Sequence, residues 1–320
     1  MRVIVTLLSL FLIVPCMAQQ GQQYSLQMLN RYQFNPAYAG MDASLSINGA
    51  YRTQWEGIPG NPKQQHLNAH MPFYLWNGGL GIAFSNESIG AEKNLSLGIS
   101  YNYVQETNFG LFSLGLRAGI FQKTFDGTVL RTFDGDYEGQ IDHRDPNLPN
   151  AVVRGMVPRF DLGLYFAGDY FDFGIATTQV TIGEVNLDNA VRFKPRQEYN
   201  AFFEYFIESF DYVNLYPTIF VKSDLKETQV EVLVRAVYDE FLTVGAGFRG
   251  YNRNSFDAVI IMAGLKISEQ FSLAYAYDWT VSPLQSVTSG THEIMLNYNL
   301  NKLIGAGLPP RVIYNPRFYE

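Results

Sequence analysis

QFSLAYAYDWTVSPLQSVTSGTHEIMLNYNL, residues 270–300, contains two strand patterns in succession. In the first, Phe271, Leu273, Tyr275 and Tyr277 alternate with Gln270, Ser272, Ala274 and Ala276. In the last, His292, Ile294, Leu296, Tyr298 and Leu300 alternate with Thr291, Glu293, Met295, Asn297 and Asn299. Successive side chains of a strand point to opposite faces, so each stretch is a strand with one apolar face and one mixed polar face. Lipid outside and a filled or wet lumen inside demand this pattern, but a half-buried soluble sheet produces it too. The number of such strands and the way they are joined separate the two.

The same period runs back to residue 43. In Gln229–Tyr238, Val230, Val232, Val234, Ala236 and Tyr238 oppose Gln229, Glu231, Leu233, Arg235 and Val237. Strands are expected near 43–54, 63–73, 78–87, 94–104, 111–122, 157–168, 171–178, 198–208, 213–222, 227–238, 241–250, 256–267, 270–278 and 290–300. That is about fourteen, an even number, most of them long enough to cross a bilayer when tilted. The joins near 74–77, 105–110, 169–170, 209–212, 239–240 and 268–270 are tight, and those near 55–62, 123–156, 179–197 and 279–289 are longer. Short turns on one side and long loops on the other mark a barrel with two differently exposed ends. The expected fold is all-β: a transmembrane antiparallel β-barrel of about 14 strands over residues 43–300. Glycines inside the strands, Gly79, Gly81, Gly115 and Gly163 among them, are expected to relieve crowding in a curved wall. Trp55, Trp76 and Trp279 fall at strand ends, where an aromatic girdle sits.

Composition agrees. Aromatics are 15% and charged residues 17%, and the net charge of −7 offers no basic face to nucleic acid. Arg2 followed by the apolar run Val3–Val14 and a cut after Ala18 reads as an export signal over residues 1–18. A lipoprotein reading that keeps Cys16 is opposed by Pro15. The only cysteine is thus removed, leaving no disulfide and no thiol chemistry. No later run has the length of a membrane helix. Residues 19–42 form a segment ahead of the barrel. There Tyr24, Met28, Leu29 and Tyr32 have roughly helical spacing, and Pro36 forces Asn35 out of the helical region. With an even strand count, this segment and the Pro-rich tail 301–320 lie on the periplasmic side.

Asn35-Pro36-Ala37-Tyr38-Ala39-Gly40, Tyr51-Arg52-Thr53-Gln54-Trp55-Glu56-Gly57, Gly60-Asn61-Pro62, Ala274-Tyr275-Ala276-Tyr277-Asp278-Trp279, Ser289-Gly290-Thr291-His292-Glu293-Ile294 and Asn315-Pro316-Arg317-Phe318-Tyr319 occur in this order. In content and spacing the chain resembles the PorP/SprF family of the type IX secretion system. Its one departure is Trp279, where Tyr is more usual. The Asn35-Pro36-Ala37 element is also similar to the N-terminal hatch of outer-membrane long-chain fatty-acid transporters. The resemblance implies an outer-membrane, non-enzymatic barrel that assists secretion or surface attachment of an adhesin-like cargo with a C-terminal sorting domain. Its partners would be that cargo, the type IX machinery and the surrounding lipid. Some members work beside the periplasmic ring and motor of gliding bacteria. The motif residues it singles out are Asn35, Pro36, Ala37, Gly40, Arg52, Gln54, Trp55, Tyr277, Asp278, Gly290, His292 and Glu293. In the tail, Tyr314, Pro316, Arg317, Phe318 and Tyr319 are of the types enriched at interaction hot spots. The alternative is a channel for a hydrophobic small molecule. A third class, a membrane-embedded hydrolase, finds no motif among the residues.

Two further patterns concern metals. His66 and His70 lie four residues apart on one strand, roughly 13 Å at about 3.3 Å per residue, too far to share an ion. Asp134, Asp136, Glu138, Asp142 and Asp145 fall at EF-hand positions one, three, five, nine and twelve, with Gly139 at six. Asp at the last position and the lack of flanking helices favour a solvated acidic loop over a calcium site.

Overall fold

The computed structural model describes residues 23–187, 192–210, 212–251 and 255–304. The strands are β1 Ser46–Thr53, β2 Lys63–Phe73, β3 Gly78–Ile89, β4 Glu92–Thr107, β5 Gly110–Asp126, β6 Val152–Gly168, β7 Phe171–Thr181, β8 Val185–Asn186, β9 Arg192–Phe193, β10 Glu198–Tyr205, β11 Ile207–Phe210, β12 Val213–Ser223, β13 Thr228–Tyr238, β14 Leu242–Tyr251, β15 Ser255–Lys266, β16 Phe271–Thr280 and β17 Thr291–Asn299. Each wall strand pairs antiparallel with its neighbours in sequence, and β10 and β11 form one wall strand interrupted at Phe206. β1 pairs with β17 from Ser46↔Asn299 to Thr53↔His292, and β10 pairs with both β7 and β12. The wall is therefore a closed barrel of 14 strands with no free edge, the condition for satisfying backbone groups in lipid. β8 and β9 make a separate two-stranded ribbon within the loop after β7.

The alternation read from the sequence faces as expected. Val230, Val232 and Val234, Phe271, Leu273 and Tyr275, and Ile294 and Leu296 point outward and are exposed, while Glu231, Leu233, Ala274, Ala276, Glu293 and Met295 are buried inside.

Among the described residues, two connections depart from the expected sorting of loops. Gly90-Ala91 and residues 224–227, at the long-loop end, are tight. The expected loop 123–156 shrinks to 127–151, because β5 and β6 keep pairing up to Asp126↔Val152. β5 and β6 have 17 residues each and β1 has 8. At about 3.3 Å per residue and a tilt of 35–45°, one side of the wall stands roughly 20 Å taller than the seam where the chain closes on itself.

The outward face makes a direct test possible. Val232, in the middle of β13, replaced by Arg should lower folding stability in lipid vesicles by about 2–4 kcal/mol. Unchanged denaturant unfolding in vesicles would mean that this face does not meet lipid.

Candidate functional site

The lumen is occupied by the chain's own residues 23–45. Instead of the helix that the spacing of Tyr24, Met28, Leu29 and Tyr32 suggested, this segment makes three 3-10 turns, Gln27–Leu29, Arg31–Gln33 and Pro36–Tyr38. Wall side chains hold these turns by their backbone groups. Glu293 accepts from the N–H groups of Ser25, at 2.6 Å, and Leu26, at 3.3 Å. Arg117 donates to the carbonyls of Tyr32 and Gln33. Asn102 and Ser113 both donate to the Ala37 carbonyl at 2.7 Å. Between the first two turns Asn30 leaves the helical region (φ −141°, ψ 67°), and its side chain is held by His66 and Asn68 of β2.

Asn35 is extended (φ −135°, ψ 107°), as a residue before proline should be, and its side chain caps the turn that Pro36 starts by accepting from the Ala37 N–H at 3.0 Å. Its amide donates to the Leu164 carbonyl at 2.9 Å, tying the turn to β6. The wall gives way here. A Cβ on Gly115 would lie 2.3 Å from the Ala37 nitrogen, and one on Gly163 would lie 2.0 Å from Asn35 Oδ1. These glycines, expected only to relieve curvature, are a notch for the plug backbone. Gly40 has φ +72° and turns the plug toward β1, and its N–H donates to His70 Nδ1 at 3.1 Å.

Near the long-loop end the plug meets a buried charge cluster at the β1–β17 seam. Arg52 donates to Ser25 Oγ at 2.9 Å, Glu293 at 3.0 Å and Asp278 at 2.7 Å. Ser25 Oγ donates to Asp278 Oδ1 at 2.6 Å. Arg249 on β14 adds contacts to Asp278 at 2.8 Å, Ser25 Oγ at 2.7 Å and Glu231 at 2.9 Å. Gln27 reaches Glu231 at 3.0 Å. A second cluster holds the plug midway. Arg31 pairs with Asp172 and Glu204 and donates to the Tyr165 hydroxyl, while Glu204 is also held by Arg235 and Thr218. A third lies on β5 and β6, where Asp161 accepts from Arg117 and Arg159 and from the N–H of Gln179. Beside the charge clusters lies one apolar group, with plug residues Leu26 and Met28 packed among Phe202, Phe220, Leu233, Ile260 and Met262.

Of the motif residues, Asn35, Pro36, Ala37, Gly40, Arg52, Gln54, Asp278 and Glu293 thus converge on the plug, Gln54 through Gln23. Trp55, Tyr277, Gly290 and His292 do not. They gather at the outer rim of the seam, where the Trp55 N–H donates to Thr291 and the Tyr277 hydroxyl to the Ser289 carbonyl. His66 and His70 face the plug, His66 against Asn30. Sequence reasoning missed Arg31, Arg249, Glu204, Glu231 and Asp172. For the four on wall strands, Arg249, Glu204, Glu231 and Asp172, the available signal was a charge in the inward register, since unpaired charge there is costly.

Above the plug, β8 folds back into the mouth, burying Val185 and Leu187 against Phe121 and Val157. The loop 127–151 is internally tied. The buried His143 bridges the Gly127 carbonyl at 2.8 Å and the Tyr137 hydroxyl at 3.1 Å. Three of the five acidic residues of the EF-hand-like spacing are engaged locally. Asp136 and Asp142 pair through their backbones, and Asp136, Asp142 and Asp145 each accept from an N–H two residues on. Among the described residues no three His, Cys, Asp or Glu side chains converge to hold a metal. The signal segment and the tail residues Tyr314, Pro316, Arg317, Phe318 and Tyr319 lie outside the described residues.

A closed 14-stranded wall, apolar outside and filled by the chain's N-terminal plug, defines an outer-membrane β-barrel. The sequence pattern of the type IX secretion system membrane protein PorP/SprF matches residues 16–298, and the chain belongs to that family. No curated protein matches it in sequence. Its fold is similar to the toluene transporter TbuX of Ralstonia pickettii, with a TM-score of 0.50 at 11% identity over 85% of this chain and 92% of that one. A monoaromatic hydrocarbon channel, CymD, gives 0.49 at 12% identity over 86% and 93% of the two chains. The outer-membrane protein Omp33 of Acinetobacter baumannii gives 0.45 at 9% over 80% and 97%. At such identities the likeness to TbuX establishes the fold alone.

Arg52→Ala should cost about 3–5 kcal/mol, because Glu293 is left buried without its cation and Asp278 keeps only Arg249. The check is denaturant unfolding of the refolded barrel in detergent. A loss below about 1 kcal/mol would show that the cluster does not anchor the plug.

Proposed function

We propose that this type IX secretion component acts without catalysis, assisting export or surface attachment of a cargo protein with a C-terminal sorting domain. The observation that carries the reading is the filled lumen. Among the described residues, eleven of the fourteen wall strands hydrogen-bond or ion-pair with a plug held by three buried charge clusters, an arrangement suited to a fixed scaffold rather than to a conduit.

The tall side of the wall supports the same reading. There β4, β5 and β6 rise above the rest and carry the tied loop 127–151 and the β8–β9 ribbon. Loops on a rigid scaffold are where recognition concentrates, and this side offers an exported cargo the larger surface. The tail 301–320 is the proposed contact with the periplasmic machinery.

The alternative, a channel for a hydrophobic solute, draws on the fold shared with TbuX and on the apolar cluster inside the barrel. That cluster is filled by Leu26 and Met28 of the plug.

Surface display decides between them. Cells lacking the chain should lose a sorting-domain cargo from the surface, with cargo accumulating in the periplasm and uptake of toluene-like solutes unchanged. Cells with residues 308–320 deleted should keep a heat-modifiable barrel and lose display. Normal display in the deletion strain, with reduced solute uptake, would replace this function by transport.

A further inference from the structure

The motif residues that miss the plug form their own constellation on the outward face of the seam. Tyr275 Oη lies 2.6 Å from His292 Nδ1, and His292 Nε2 lies 3.1 Å from Glu56 Oε2. The Tyr277 ring sits 5.1 Å from the imidazole, with its hydroxyl donated to the Ser289 carbonyl. Gly290, at φ +99°, lets that ring approach, since a Cβ there would stand 2.6 Å from the Tyr277 oxygen. Backbone bonds from the Glu56 N–H to the Gly290 carbonyl and from the Ser289 N–H to the Glu56 carbonyl lock the two loops together beneath Glu56. The group is rigid, yet the Glu56 and His292 side chains are 56% and 33% exposed.

Its position and its chemistry both point to a ligand. The seam is the lowest part of the wall, with 8 to 10 residues in β1, β17 and β16, so its outer rim lies at the headgroup layer rather than above it. Trp279, 53% exposed, marks the same level. With neutral imidazole, Nε2–H donates to Glu56 and Nδ1 accepts the Tyr275 proton. The unspent capacity is then a carboxylate oxygen and phenol lone pairs, all acceptors, beside aromatic faces. A phosphate is repelled by Glu56, so in a lipopolysaccharide the sugar held would be a core sugar that carries no phosphate. A sugar ring fits, with hydroxyl donors for the carboxylate and a C–H face for the tyrosines.

We propose that Glu56, Tyr275, Tyr277 and His292 form a binding site for the sugar headgroup of an outer-leaflet glycolipid. The site sits on the same seam that holds the plug, so the lipid would clasp from outside the strands that Arg52 ties from within.

The test uses the full chain, purified in detergent and passed through vesicles of phosphatidylethanolamine and phosphatidylglycerol with or without rough lipopolysaccharide. Retained lipid is read by native mass spectrometry. Wild type should keep lipopolysaccharide, and excess soluble core oligosaccharide should release it. The Glu56→Ala/His292→Ala variant should retain at least tenfold less while still migrating as a heat-modifiable barrel. Glu56→Gln, which keeps size and shape, should fall in the same direction and covers the case in which the double variant does not fold. Retention by Glu56→Gln equal to wild type would overturn the proposal. So would release by phosphatidylglycerol but not by oligosaccharide, which would mark ordinary annular lipid.

Discussion

Arg52 is the point on which the structure turns. It sits on the first wall strand, faces Glu293 on the last across the closing ladder, and reaches Asp278 on the strand before that. Between them it holds Ser25 of the plug. One buried guanidinium therefore couples three things: closure of the wall, seating of the plug, and neutralisation of carboxylates that could not otherwise stay charged inside a barrel. Backbone pairing demands that the barrel close, but it does not say what fills it. The inward charges do. They need partners, and the plug supplies hydroxyl, amide and backbone N–H groups where side chains alone would fall short.

This arrangement explains why the motifs stand so far apart in sequence. Residues 23–40, 51–57, 274–279 and 289–294 are remote along the chain and adjacent in the fold. Alternation along a strand then splits each motif between two faces. Arg52, Asp278 and Glu293 point in and grip the plug. Glu56, Tyr275, Tyr277 and His292 point out at the outer rim. A single short seam carries both an internal anchor and an external polar patch, whereas the tall side bears the larger loops.

The wall was legible in the sequence because strand period and turn spacing are local. Val230, Val232 and Val234 declared their face without any knowledge of their neighbours. The plug was legible only in part. Pro36 correctly predicted the extended Asn35, yet the spacing suggested a helix through Gln27–Leu29 and Arg31–Gln33, since the β2 side chains that hold the break at Asn30, His66 and Asn68, lie far along the chain. Gly115 and Gly163 looked like curvature glycines for the same reason. Arg249 and Arg31 carried no spacing signal. Their partners lie on other strands, and pairing of that kind is set by topology, not by pattern.

The central claim is that the barrel is closed by its own N-terminal segment, held by buried ion pairs. Conductance in planar bilayers tests it most directly. The wild-type chain should show no steady porin-sized current, and Arg52→Ala should flicker toward an open state as the plug loosens. A steady, large conductance from the wild-type protein, unaltered in the variant, would contradict the account.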